Sequence, residues 1–122
     1  MKVKLGATRK VFIFKNFVVK VPNAHEYRLF LNGILGNLQE KAFSKMGRYD
    51  LAKVKFCDIL GLVLIMERAQ MVDVENVDYE NFKDKLEEIY KDDDMKEFML
   101  SDAKPSNWGY IKERLVKIDY GN

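Results

Sequence analysis

The chain contains one cysteine, one histidine, two prolines and one tryptophan in 122 residues. A lone Cys57 excludes an internal disulfide framework and fits a reducing cytoplasm. One cysteine and one histidine leave too few soft ligands for a zinc site. The longest apolar run, Ile59–Met66, falls far short of the roughly 20 residues that cross a bilayer. A dominant charge sign is missing too: 21 basic and 19 acidic residues leave a net charge of +2. That balance gives no argument for a nucleic-acid or membrane partner. Met1-Lys2-Val3-Lys4 runs straight into an alternating pattern, so no signal peptide is expected. Internal repeats and low-complexity tracts are also lacking.

With 48% apolar and 33% charged residues, the composition is that of one folded domain of α+β class. Val11, Ile13, Val18, Val19 and Val21, interleaved with Phe12, Phe14 and Phe17, predict a β meander turning at Lys15-Asn16. Gly6–Arg9 is the tight turn between a short first strand and the second. Pro22 ends the third strand, and Asn23 with Glu26 predicts a capped helix over 24–43. Its apolar stripe is Tyr27, Phe30, Leu31, Ile34, Leu35, Leu38 and Ala42. Gly33 and Gly36 predict a close backbone approach, on a stripe with Glu26 and Glu40 that points away from that apolar face.

Strands over 53–57 and 61–67 follow, joined at Asp58–Gly61. The composition then turns acidic and helical. An amphipathic helix is expected over 77–90, a break at Lys91–Asp94 and a short helix over 95–100. A polar loop and a hairpin with strands at 110–111 and 115–118 complete the pattern. Trp108 reads as a packing anchor, and Lys83, Lys85, Glu87, Glu88 and Lys91 as a solvated face.

The chemistry gathers in the last twenty residues. Asp102, Lys104 and Asn107 share one short polar loop, and Asp119 follows a hairpin, directly before Tyr120 and Gly121. Asn107 and Asp119 offer oxygens to a hard cation, Asp102 can accept a hydroxyl proton, and Lys104 offsets phosphoryl charge. That is the residue set that holds a magnesium–triphosphate and steers an attacking hydroxyl.

The order of elements, together with Asp102-Ala103-Lys104-Pro105-Ser106-Asn107, Asp119-Tyr120-Gly121 and Lys20 within Phe17–Val21, resembles protein kinases of the reduced kind found in phage genomes. The resemblance implies a nucleotide-binding small lobe over 1–69, a five-stranded antiparallel sheet with one long helix. It also implies a truncated large lobe over 70–122, ending just after the Asp-Tyr-Gly motif. It assigns Lys20 to the phosphates of ATP, with Glu40 as its ion-pair partner and Glu26 in reserve. Gly6 lies in the phosphate-covering loop, and Arg9 or Lys10 could add charge there. The backbone at Glu67 and Ala69 would hold the adenine, with Met66 behind it. Asp102 is the catalytic carboxylate, Lys104 steadies the γ-phosphate, and Asn107 and Asp119 bind Mg2+.

The implied function is that of an ATP/Mg-binding protein, either a phosphotransferase to a hydroxyl or an inactive pseudokinase that grips a protein partner or a second copy. Cytoplasmic placement is expected, in the host if phage-encoded. Two departures stand out: Leu100 and Ser101 occupy the positions where kinases carry His and Arg to anchor the loop, and the phosphate-covering turn keeps a single glycine.

Overall fold

β-Branched and aromatic residues crowd the first 22 positions, and they form a meander of β1 (Lys2–Leu5), β2 (Arg9–Ile13) and β3 (Phe17–Pro22). The computed structural model describes residues 1–72 and 78–121. The chain continues through α1 (Tyr27–Ser44), β4 (Val54–Cys57) and β5 (Leu64–Glu67). These strands make one antiparallel sheet in the order β1-β2-β3-β5-β4, with α1 packed against it. After β6 (Gln70–Met71) come α2 (Tyr79–Tyr90), α3 (Lys96–Leu100), a 3-10 turn (Pro105–Asn107), β7 (Trp108–Ile111) and β8 (Arg114–Lys117). The last strands form a second sheet, β6-β7-β8. The α+β architecture with a five-stranded sheet and a long helix is therefore as expected, whereas β6 was not foreseen. Two residues are too few to leave a periodic signal.

The helix starts later than the capping pattern suggested. The Asn23 amide still donates to Thr8 O at 2.8 Å, so the chain remains tied to the sheet at that point. Asn23 Oδ1 instead accepts from the His25 amide (3.3 Å), and Glu26 takes the cap position without a side-chain bond.

Which face of α1 is buried also differs from expectation. Gly33, Gly36, Asn37 and Glu40 are buried, while Tyr27 (68%), Leu31 (52%) and Leu35 (60%) stay exposed. The cause is close backbone packing. A Cβ at Gly33 would lie 2.5 Å from Thr8 O and 2.8 Å from Pro22, so only glycine lets the helix sit this near the sheet.

The core lies between the large sheet and the second half of the chain. Leu64 and Met66 meet Leu86, Met99 and Val116 around a fully buried Trp108. Phe82, Leu86 and Tyr90 are the buried positions of α2, whose N-terminus is capped by Asp78 Oδ1 accepting from Glu80 N at 3.0 Å. Tyr79 and Ile89, expected on the same stripe, are exposed. Val77 lies outside the described residues. The Lys83–Lys91 charges are solvated as foreseen.

Two sets of contacts join the halves. Arg48 grips Asp50 (2.8 and 2.9 Å) and Asp93 (3.2 and 2.8 Å), and Tyr90 Oη donates to Asp50 Oδ2 at 2.8 Å. Lys117 N donates to Asp50 O (2.8 Å) and Ala52 N to Lys117 O (3.0 Å), which stitches β8 to the segment before β4. Among the described residues no helix is long and apolar enough to cross a membrane.

Candidate functional site

Lys20 occupies the middle of β3, opposite Val11 on β2 and Leu64 on β5. Cross-strand partners share a face of the sheet, so all three point the same way. The Lys20 ammonium donates to Glu40 Oε1 (3.0 Å), Glu40 Oε2 (3.1 Å) and Ile118 O (2.8 Å). Those bonds use all three of its protons. Glu40 is thus the partner of Lys20, and Glu26 is exposed at the helix cap.

Arg9 completes the cluster. Its Nη1 donates to Glu40 Oε1 (2.7 Å) and Asn37 Oδ1 (3.0 Å), and its Nη2 to Glu40 Oε2 (3.2 Å) and Asp119 Oδ1 (3.0 Å). The expectation that Arg9 could lend free charge to a phosphate is therefore corrected: its guanidinium is buried and committed. The Tyr120 amide donates to Glu40 Oε2 at 2.9 Å. Burial alone would raise the Glu40 carboxyl, but Lys20, Arg9 and these hydrogen bonds hold it below the usual carboxylate range. Burial, only partly offset by Glu40, pushes the Lys20 ammonium down.

The loop that carries Asp102 is organised from below. Asp102 itself adopts φ +47°, a left-handed conformation rare outside glycine. Its carbonyl accepts from Lys104 N (2.8 Å) and Asn107 Nδ2 (2.8 Å), which leaves Asn107 Oδ1 turned away from that bond. The Asp102 and Lys104 side chains are exposed and lie 3.6 Å apart. Ile118 N donates to Asn107 O at 2.8 Å, so the strand that delivers Asp119 is pinned to the same loop.

The start of the loop is also held from the side of β8. Buried Lys117 donates to Phe98 O (2.7 Å), Ser101 O (3.0 Å) and Ser101 Oγ (3.0 Å), and its ammonium sits 5.0 Å from the Phe98 ring centroid. It therefore holds the last carbonyls of α3 just where the loop begins. Burial pushes its pKa down to about 8, against the pull of Asp102 and Asp119.

A cleft of about 870 Å3 runs between the large sheet and this loop. Gly6, Lys20, Met66, Glu67, Ala69, Asp102, Lys104, Asn107 and Asp119 all line it, so the expected site residues converge on one hollow. Glu40 lies behind Lys20, fully buried, and does not reach the surface of the cleft. One wall is apolar, with Val11, Ile13, Val18 and Met66 on the sheet face, and Ile111 and Ile118 lie across from it.

Three functional residues were not foreseen in these roles: Arg9, Asn37 and Lys117. Arg9 stands two residues before Val11, so strand alternation puts it on the face of Lys20 once the register is known. Lys117 left no sequence signal of this role. Asn37 left none beyond its place one turn before Glu40.

Among the described residues no group of three or more carboxylate, histidine or cysteine side chains could hold a metal by itself. Asp119 remains 44% exposed with one oxygen not bonded to Arg9, and Asn107 lines the same cleft. Two oxygens of this kind fit Mg2+, which binds through one or two protein ligands plus substrate phosphates and waters. Comparison of the chain with protein-family models, curated proteins and solved structures finds no match.

Proposed function

We propose that this protein is a cytoplasmic, protein-kinase-like ATP/Mg-binding protein that transfers a phosphoryl group to a hydroxyl acceptor. The observation that carries the reading is the convergence of Lys20, Asp102, Lys104, Asn107 and Asp119 on one cleft whose lining also includes the apolar Val11, Ile13, Val18 and Met66. In this reading residues 1–69 are a small lobe and residues 70–122 a reduced large lobe. Met66, Glu67 and Ala69 take the base, and Gly6 allows the backbone of the first turn to approach the phosphates. Lys20 lies in the cleft lining paired to Glu40, and in this reading it would exchange its bond to Ile118 O for a phosphate oxygen. Asn107 and Asp119 would hold Mg2+, which supplies charge neutralisation between the phosphates when bound. Asp102 accepts the acceptor's proton, and Lys104 steadies the transferred group. Positioning and charge stabilisation account for most of the barrier lowering in such transfers.

One contact favours a second reading. Arg9 already gives Asp119 a cationic partner at 3.0 Å, so the carboxylate is partly neutralised without a metal. A pseudokinase that binds nucleotide without transferring phosphate, and works by gripping a protein partner or a second copy, would use the cleft in that state.

The two readings separate on measurement. A ligand at a hundredfold its Kd stabilises the folded state by about 2.7 kcal/mol. ATP with magnesium should therefore raise Tm by several degrees, ATP with chelator by much less, and label from the γ-phosphate should reach an acceptor. Asp102→Asn should abolish transfer and keep the Tm shift. A shift indifferent to chelator, with no transfer, supports the pseudokinase; no shift under any nucleotide condition overturns both.

A further inference from the structure

Among the described residues, the positive charge lining the cleft is ion-paired at one end only. At the phosphate end Arg9 and Lys20 are answered by Glu40 and Asp119, and Lys104 by Asp102. Lys2, Lys4, Lys15, Arg68 and Lys112 also line the cleft, and among the described residues none of them makes an ion pair. The nearest acid of the lining, Glu67, is engaged elsewhere: its Oε1 accepts from the Lys53 amide (2.7 Å) and lies 3.8 Å from Arg114.

These free cations are not scattered. Lys2 stands opposite Ile13, two residues before Lys15, and Arg68 donates to Phe14 O at 2.9 Å. Tyr110 pairs with Gln70, which places the β7–β8 turn and Lys112 beside the same segment. Four of the five therefore gather at the mouth where the β2–β3 turn meets residues 67–70, and Lys4 lies one row further in, opposite Val11. The apolar slab separates this collar from Lys20 and Asp119. A concave, partly apolar site concentrates the field of such uncompensated charges.

We infer that the ligand is anionic at both ends: a nucleotide whose ribose carries a further phosphate or phosphodiester, which the collar of Lys2, Lys15, Arg68 and Lys112 holds. The inference rests on the nucleotide reading of the cleft and adds the ligand class. With a base on the slab, a ribose phosphate directed to the cleft opening would meet cations that no carboxylate of the described residues pairs with. Arg68 offers a planar donor pair, and the lysines act as point charges.

Adenosine 3′,5′-bisphosphate and AMP differ only in the ribose phosphate, so their titration against the intact protein is the test. Hydrogen bonds from charged groups are strong enough that the bisphosphate should bind at least about tenfold tighter. The Lys15→Gln/Arg68→Gln/Lys112→Gln variant alters exposed side chains only. It should erase that gain while AMP affinity stays within about twofold. Pyrophosphate alone should bind far more weakly than the bisphosphate. Equal affinity for the two nucleotides, or a gain that survives in the variant, overturns the inference and leaves the nucleotide reading standing. Pyrophosphate binding as tightly as the bisphosphate makes the collar a general anion patch and also overturns it. No binding of any nucleotide overturns both.

Discussion

Glu40→Gln removes one negative charge from the centre of the molecule and little else. The carboxylate is fully buried and holds Lys20, Arg9 and the Tyr120 amide at once. A glutamine of the same shape keeps part of the hydrogen bonding but leaves two cations buried against a neutral group. Breaking a buried pair by removing one partner costs about 3–5 kcal/mol. A chain of this length has a total stability of roughly 6–18 kcal/mol, so the loss is a large fraction of it. The corresponding fall in Tm is on the order of 10–20 °C. Urea unfolding followed by Trp108 fluorescence measures it directly, because the single tryptophan is fully buried. A companion variant, Arg9→Met/Lys20→Met/Glu40→Leu, removes the three fully committed charges together and leaves Asn37, Asp119 and the Tyr120 amide in place. Apolar replacement of a whole buried ion network is often neutral, so the triple variant should be more stable than Glu40→Gln alone. Glu40→Gln unfolding within about 1 kcal/mol of wild type would refute the reasoning, because it would mean that the buried cations find other compensation.

Lys117→Met keeps the length of the side chain and leaves the carbonyls of Phe98 and Ser101 without their donor. It should cost about 1–3 kcal/mol and speed amide exchange across residues 98–104 more than in the large sheet; unchanged exchange there counts against the anchor. Asp50 supplies a pH test. Burial raises its carboxyl, but hydrogen bonds from Arg48 and Tyr90 outweigh that and leave it below the usual range. A carboxylate depressed in the folded state stabilises above the unfolded value of about 3.9, and the contribution fades as pH falls through the lower folded value. Asp50→Asn should therefore be less stable than wild type at pH 7, with the gap narrowing below about pH 4 in urea midpoints. A gap that stays constant down to pH 3 contradicts the assignment.

The sheet was legible because its strands carry the period and residue types of strands. Val11, Ile13 and Val18 alternate, and the Lys15-Asn16 turn is polar. The convergence of Lys20 with Asp102, Asn107 and Asp119 was legible from type and order along the chain. What α1 buries was not. Periodicity reports where apolar residues fall, and here Leu31 and Leu35 fall outside while Gly33, Asn37 and Glu40 fall inside. Close backbone packing and a buried ion cluster override the hydrophobic stripe, and neither has a periodic signature. Arg9 was misjudged for a related reason. A basic residue beside a glycine turn looks free until the register reveals three acceptor side chains around it.

That burial changes what the motif residues mean. The segment 118–121 is part of the scaffold as much as of the site. Ile118 O accepts from Lys20, Tyr120 N donates to Glu40, and Tyr120 Oη donates to Ala52 O at 2.5 Å. Gly121 packs so close to α1 that a Cβ there would lie 2.6 Å from Gly36 O. Lys20, Glu40 and Tyr120 would therefore be retained for stability even in a protein that bound nothing. Asp102 is different. It is exposed, its only side-chain ion pair among the described residues is a loose one to Lys104, and it holds a left-handed backbone that glycine would adopt at lower cost. Among the described residues no contact of its carboxylate explains an aspartate there, and in the proposed reading it is the proton acceptor at the phosphate end of the cleft. The case for phosphoryl transfer therefore weighs most on Asp102, the site residue the fold needs least.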